Sequence, residues 1–76
     1  MNKTRRQELA RICVRLGDAL SDLEAVQAEE ENSRDNTPES LQSTDRYAES
    51  EEACDNLAEA VSELETAIGL INELAE

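Results

Sequence analysis

The chain has no histidine, no tryptophan and no phenylalanine, and Tyr47 is its only aromatic residue. Each absence removes a class of function. Without an imidazole there is no histidine general base and no histidine metal ligand. Two cysteines, Cys13 and Cys54, are too few for a four-thiolate zinc site. Strands favour aromatic and β-branched residues, which this sequence barely has, so a sandwich or barrel is not expected. Serine and threonine are present, yet no plausible base exists to activate them as nucleophiles. Carboxylates on an exposed helix have no pocket to drive their pKa values apart. Basic residues are scarce as well: seven Lys and Arg stand against nineteen Asp and Glu, a net charge of −12. The expectation is an all-α, acidic, non-enzymatic protein with no cofactor and no metal.

Seventy-six residues allow one small domain, here residues 1–76. Met1 to Arg6 are polar and basic with no unbroken apolar run behind them, so a signal peptide is not expected. No stretch approaches the length that spans a bilayer. A cytoplasmic location and no membrane partner follow.

What is present is periodic. From Leu9 the apolar residues fall at Leu9, Ile12, Leu16, Ala19, Leu23 and Val26, alternating three and four, with Cys13 and Leu20 beside that seam. From Tyr47 the pattern returns: Tyr47, Cys54, Val61, Ile68 and Ala75 form one seven-residue row, and Leu57, Leu64 and Ile71 form another. These are heptads. They predict an antiparallel, coiled-coil-like two-helix hairpin, with helix 1 at about 3–31 and helix 2 at about 45–74. Its core combines Leu9, Ile12, Leu16, Leu20 and Leu23 with Leu57, Val61, Leu64, Ile68 and Ile71.

The turn occupies 32–44. Thr37-Pro38-Glu39 reads as an N-cap, a proline at the first helical position and an acid in the first turn, which predicts a short helix around Pro38 to Gln42. Ser43 or Thr44 caps helix 2, with Asp45 near its positive end. Leu41 is expected as a plug near Val26 and Tyr47, with a surface leucine as the other reading. Placing Glu31 opposite Thr44 puts the cysteines about 12 Å apart along the axis. That is too far for a disulfide, so both are expected as free thiols of a reducing compartment.

Helix 2 has more apolar surface than one partner helix covers. Ala53, Ala60 and Ala67 share a heptad row that Leu74 continues and Leu70 flanks. The row either packs closely against another helix or is a solvated row chosen for helix propensity. A core this small rarely supplies more than about 3–5 kcal/mol, so a homodimer forming a four-helix bundle is expected. Ala53, Ala60, Ala67, Leu70 and Leu74 are its candidate self-association residues. Gly17 and Gly69 lie outside the seam, where they either admit a neighbouring chain or are tolerated surface positions.

Charge is unevenly spread. Residues 1–15 carry +4 and residues 16–76 carry −16. Arg5, Arg6 and Arg11 are expected beside Glu65, Glu73 and Glu76, in pairs that set orientation more than stability. The same net charge disfavours direct nucleic-acid binding. Glu29-Glu30-Glu31 reads as a frayed acidic helix end, since no calcium-loop pattern accompanies it. Glu52, Asp55, Glu59 and Glu63 on helix 2 are the candidate acidic partner face. They either solubilise the bundle or offer a basic groove a negative surface resembling duplex DNA, which carries a charge every 3.4 Å along each strand.

The stretch Asn36-Thr37-Pro38-Glu39-Ser40-Leu41-Gln42-Ser43-Thr44-Asp45-Arg46-Tyr47, with the Ala/Leu/Glu heptads after it, resembles small acidic helical-hairpin proteins of unknown function from bacteria, phages and mobile elements. The likeness covers roughly the second half of the chain. It implies a mobile-element origin and an interaction protein or inhibitor acting on a host machine, and it transfers no functional residue. Two functions stand at this point. The leading one is a self-associating protein-interaction module. The alternative is an inhibitor of the anti-defence type whose acidic helix blocks a host nucleic-acid-binding protein.

Overall fold

A computed structural model describes all 76 residues: α1 spans Lys3–Asp35, a single 3-10 turn spans Glu39–Leu41, and α2 spans Asp45–Ala75. There are no strands, and no helix is long and apolar enough to cross a membrane. The two helices pack side by side as an antiparallel hairpin.

Each boundary has a local cause. Asn2 adopts an extended backbone and its side chain accepts from the Arg5 N–H at 2.8 Å, covering one of the orphan donors of the first turn. At the other end, Asn36 N–H donates to the Asn32 carbonyl and Thr37 N–H to the Arg34 carbonyl. The Thr37 hydroxyl donates to the Ser33 carbonyl at 3.0 Å. Pro38 then disfavours helical backbone at the residue before it. Thr37 therefore closes α1, whereas the sequence had suggested it as the cap of the following turn. Pro38 stands in that cap position with no side-chain bond. Thr44 begins α2: its hydroxyl accepts from the Tyr47 N–H at 3.3 Å and donates to the Leu41 carbonyl at 2.7 Å.

α1 runs four residues past its expected end. The acidic triplet does not fray, because Glu30 is drawn inward and accepts from the Ser50 hydroxyl at 2.8 Å, while Arg34 in the last turn suits the helix's negative end. The longer α1 shifts the register. Cys13 Sγ lies 4.0 Å from the Ile68 carbonyl oxygen and Glu30 meets Ser50, so residues whose numbers sum to 80 or 81 lie level. The expected pairing of Glu31 with Thr44 is replaced by this one. Cys54 then lies level with Val26 and Gln27, about 20 Å along the axis from Cys13, and both thiols are free.

The seam of α2 is the expected one. On α1 it turns by one residue. Leu9, Cys13, Leu16, Leu20, Leu23, Gln27, Glu30 and Arg34 are buried or half-buried, while Ala19 and Val26 are exposed. The row of Ile12, Ala19 and Val26 thus lies at the flank. Leu20 fills the middle of the seam where Ala19 would leave only a methyl group, and Val26 is left 51% exposed. All ten expected core residues are at least half-buried.

That core is thin. Only Cys13, Cys54 and Val61 are buried, and no side chain is fully enclosed. The molecule measures 59 × 14 × 13 Å with a radius of gyration of 17.3 Å, against about 11 Å for a compact domain of this length. The N-terminal arginines share an end with Glu65, Glu73 and Glu76, but none is ion-paired. The one ion pair joins Arg34 to its neighbour Asp35 at 3.1 Å.

Candidate functional site: an apolar flank ending in a cleft

A cleft of about 830 Å³ opens where the helices meet the turn, its walls including Ser33, Leu41, Tyr47 and Ala53. Leu41 sits in this wall with Tyr47 yet remains 50% exposed, and Val26 takes no part in it. The plug expected there is a partly open wall. The turn behind it is braced by hydrogen bonds, including Gln42 Nε2 to the Thr37 carbonyl at 3.2 Å.

The cleft fixes the geometry of the flank beyond it. Ser33 on α1 and Ala53 on α2 line the same opening, so the heptad rows containing them run along the same side of the hairpin. On α1 that row continues through Val26, Ala19 and Ile12; on α2 it continues through Ala60, Ala67 and Leu74. Val26 lies within about one or two residues of level with Ala53, as Ala19 does with Ala60 and Ile12 with Ala67. The row displaced from the α1 seam and the alanine row of α2 therefore form one apolar face. The opposite flank is mixed and charged: Lys3, Ala10, Gly17, Glu24 and Glu31 on α1, with Glu51, Ala58, Glu65 and Asn72 on α2.

Of the residues singled out for self-association, Ala53 and Ala67 are half-buried at the edge of the seam and Ala60 is exposed. Leu70 and Leu74 stand 59% and 52% exposed at the open end. All five belong to the flank or its margin. The α1 half of the face was missed, because Ile12, Ala19 and Val26 had been placed in the heptad seam, with Cys13 and Leu20 beside it. The signal that could have found it is the four-three spacing of Cys13, Leu16, Leu20 and Leu23, which continues through Gln27, Glu30 and Arg34 and is disguised by the polarity of those last three.

Glu52, Asp55, Glu59 and Glu63 are all exposed, and none is ion-paired. Glu29, Glu30 and Glu31 do not converge, and no group of three or more acidic or cysteine side chains is placed to hold a metal ion. No buried side-chain nitrogen or oxygen lacks a partner. Cys54, 3% exposed, has its thiol pushed above the usual pKa, chiefly by burial, with Glu30, Glu31 and Asp35 adding to the effect and Arg34 opposing it. A protonated thiol is a poor nucleophile.

Comparison with known proteins returns no matching family model, no matching curated protein and no matching solved structure.

Proposed function

We propose that this protein is a non-enzymatic, self-associating helical module of the cytoplasm, in which two hairpins pair through the apolar flank into a four-helix bundle that engages other proteins. One observation carries the reading: apolar rows on both helices, with Ala19, Val26, Ala60 and Leu74 exposed and Ile12, Ala53 and Ala67 half-buried, run together along one side. A hairpin complete in itself has no use for Val26, Leu70 and Leu74 half in water beside an alanine row.

Surface area supports it. The chain exposes 5707 Å², whereas a compact monomer of 8.4 kDa exposes about 4,600 Å². The excess is on the order of the roughly 800 Å² that each partner contributes to a standard interface. Light scattering at micromolar concentration should return twice 8.4 kDa, and Ala60→Glu, in the middle of the flank, should return one chain with its helicity intact. A single-chain mass for the parent protein would remove the proposal.

A second reading rests on the exposed, unpaired acids. In it Glu52, Asp55, Glu59 and Glu63 occupy the basic groove of a nucleic-acid-handling protein. Reversing all four to Lys should abolish capture of such a protein while leaving the circular dichroism spectrum unchanged. Undiminished capture would exclude it.

A further inference from the structure

The flank is not uniform along its length, and its asymmetry specifies how a second copy sits. Residues 20–59, the turn half of the hairpin, carry thirteen acids and two basic residues, a charge of −11. Residues 1–19 and 60–76, the open half, carry six acids and five basic residues, a charge of −1. Docking two hairpins side by side in the same direction sets the two −11 halves against each other. Docking them head to tail sets each −11 half against the half that holds Lys3, Arg5, Arg6, Arg11 and Arg15. The head-to-tail arrangement therefore avoids the strongest like-charge juxtaposition, and such a difference in repulsion fixes register and suppresses the wrong arrangement.

Shape gives the same answer. The midpoint of α1 is residue 19 and that of α2 is residue 60, and Ala19 and Ala60 lie nearly level at the narrowest layer of the flank. A two-fold axis through that layer, perpendicular to the long axis, carries the open end of one copy onto the turn end of the other. The protruding leucines are at the open end. The cleft is at the turn end and opens on the same flank; its walls are mostly polar, with Leu41 50% exposed and Tyr47 half-buried among them. A 59 × 14 Å face offers a footprint of about 800 Å², the size of one side of a standard interface.

Building on the self-association proposed above, we infer that two copies dock head to tail about the Ala19–Ala60 layer. Leu70 and Leu74 of each copy seat in the Leu41–Tyr47 cleft of the other, and Arg5 and Arg6 are brought against the acids around it. The interface is isologous and closed, so assembly stops at two chains. The partner is a second copy of this chain.

Lys3 is the only lysine and lies on the far flank, whereas Arg5 shares the row of Ile12, Ala19 and Val26 and stands about 45 Å along the axis from its own turn. Zero-length carbodiimide coupling of Arg5→Lys, followed by isolation of the covalent dimer and peptide mass spectrometry, reads the arrangement directly. The expected product joins position 5 of one chain to Asp35, Glu39, Asp45 or Glu49 of the other. A covalent dimer in which position 5 is joined only to Glu8, Glu73 or Glu76 would overturn the head-to-tail arrangement while leaving self-association standing. A single-chain mass before coupling would remove both. Seating of the leucines is read separately. Leu41→Glu should weaken dimerisation at least tenfold by sedimentation, whereas Val14→Glu, at an apolar position still more exposed and on the far side of α1, should leave it within twofold. Equal affinity for both variants would overturn the seating.

Discussion

Cys54 shows how little interior this protein has and how that interior behaves. Its thiol is the least exposed group in the chain, and burial is the main cause of its raised pKa. In the unfolded chain it ionises near pH 8.5. Below that pH both states keep the proton and the buried thiol's contribution to stability is intact. As pH rises further the unfolded state releases its proton first, and the contribution is lost through the higher pKa of the folded thiol. Cys54→Val has no proton to release. The stability difference between parent and variant, from urea melts at about pH 7 to about pH 10, should therefore move against the parent as pH rises. A difference independent of pH would mean that burial does not govern this thiol.

Gly17 and Gly69 respond to the same scarcity of neighbours. Beyond the backbone of its own helical turn and its two chain neighbours, nothing lies within 4 Å of where a Cβ would stand on either, and neither belongs to the apolar flank. Their sequence context left open a contact with another chain or a tolerated surface position, and within the chain itself nothing packs against either. In the head-to-tail dimer both glycines also face away from the second copy. Gly17→Ala and Gly69→Ala should each then stabilise the protein by about 0.5–1 kcal/mol, seen as a higher thermal midpoint with an unchanged dimer mass. A lower midpoint for either would place a neighbour against that glycine.

Within each helix, the heptads made two helices, their antiparallel pairing and the α2 seam readable from sequence, because Leu57, Val61, Leu64, Ile68 and Ile71 leave no rival stripe. α1 was less readable. Leu9, Leu16 and Leu23 belong to both possible seams, and the choice between Ile12-Ala19-Val26 and Cys13-Leu20-Gln27 rests on packing against α2, which no single helix contains. The register was lost for a related reason: it depends on where α1 stops, and the Glu30–Ser50 hydrogen bond that holds the acidic end in the hairpin spans twenty residues. The flank was half legible, through the alanine row alone. Neighbouring substitutions now separate seam from flank. Gln27→Leu places apolar area in the seam and should stabilise the fold by about 1 kcal/mol. Val26→Gln should leave helicity unchanged by circular dichroism and weaken dimerisation about tenfold by sedimentation. If the two exchange effects, the seam runs through Val26 after all.

The assembled molecule sets an apolar face against a heavy like charge. Two chains of −12 repel over a range near 10 Å at 0.1 M salt and near 3 Å at 1 M. Burial of the flank is insensitive to this screening, so added salt removes repulsion and keeps the attraction. Self-association should strengthen between 0.05 and about 1 M sodium chloride, measured as a falling dimer dissociation constant by sedimentation equilibrium. The head-to-tail arrangement adds a second, opposite effect confined to a few residues. Arg5→Glu with Arg6→Glu should weaken the dimer several-fold at low salt, and the difference from the parent should shrink as salt rises, because the attraction lost is itself screened. Engagement of a basic groove by Glu52, Asp55, Glu59 and Glu63 behaves the other way, weakening steadily with salt for any partner. The sign of the salt dependence therefore separates an apolar assembly from an acidic decoy before any partner is known. A dimer that dissociates on adding salt would mean that charge, and not the flank, holds the two copies together.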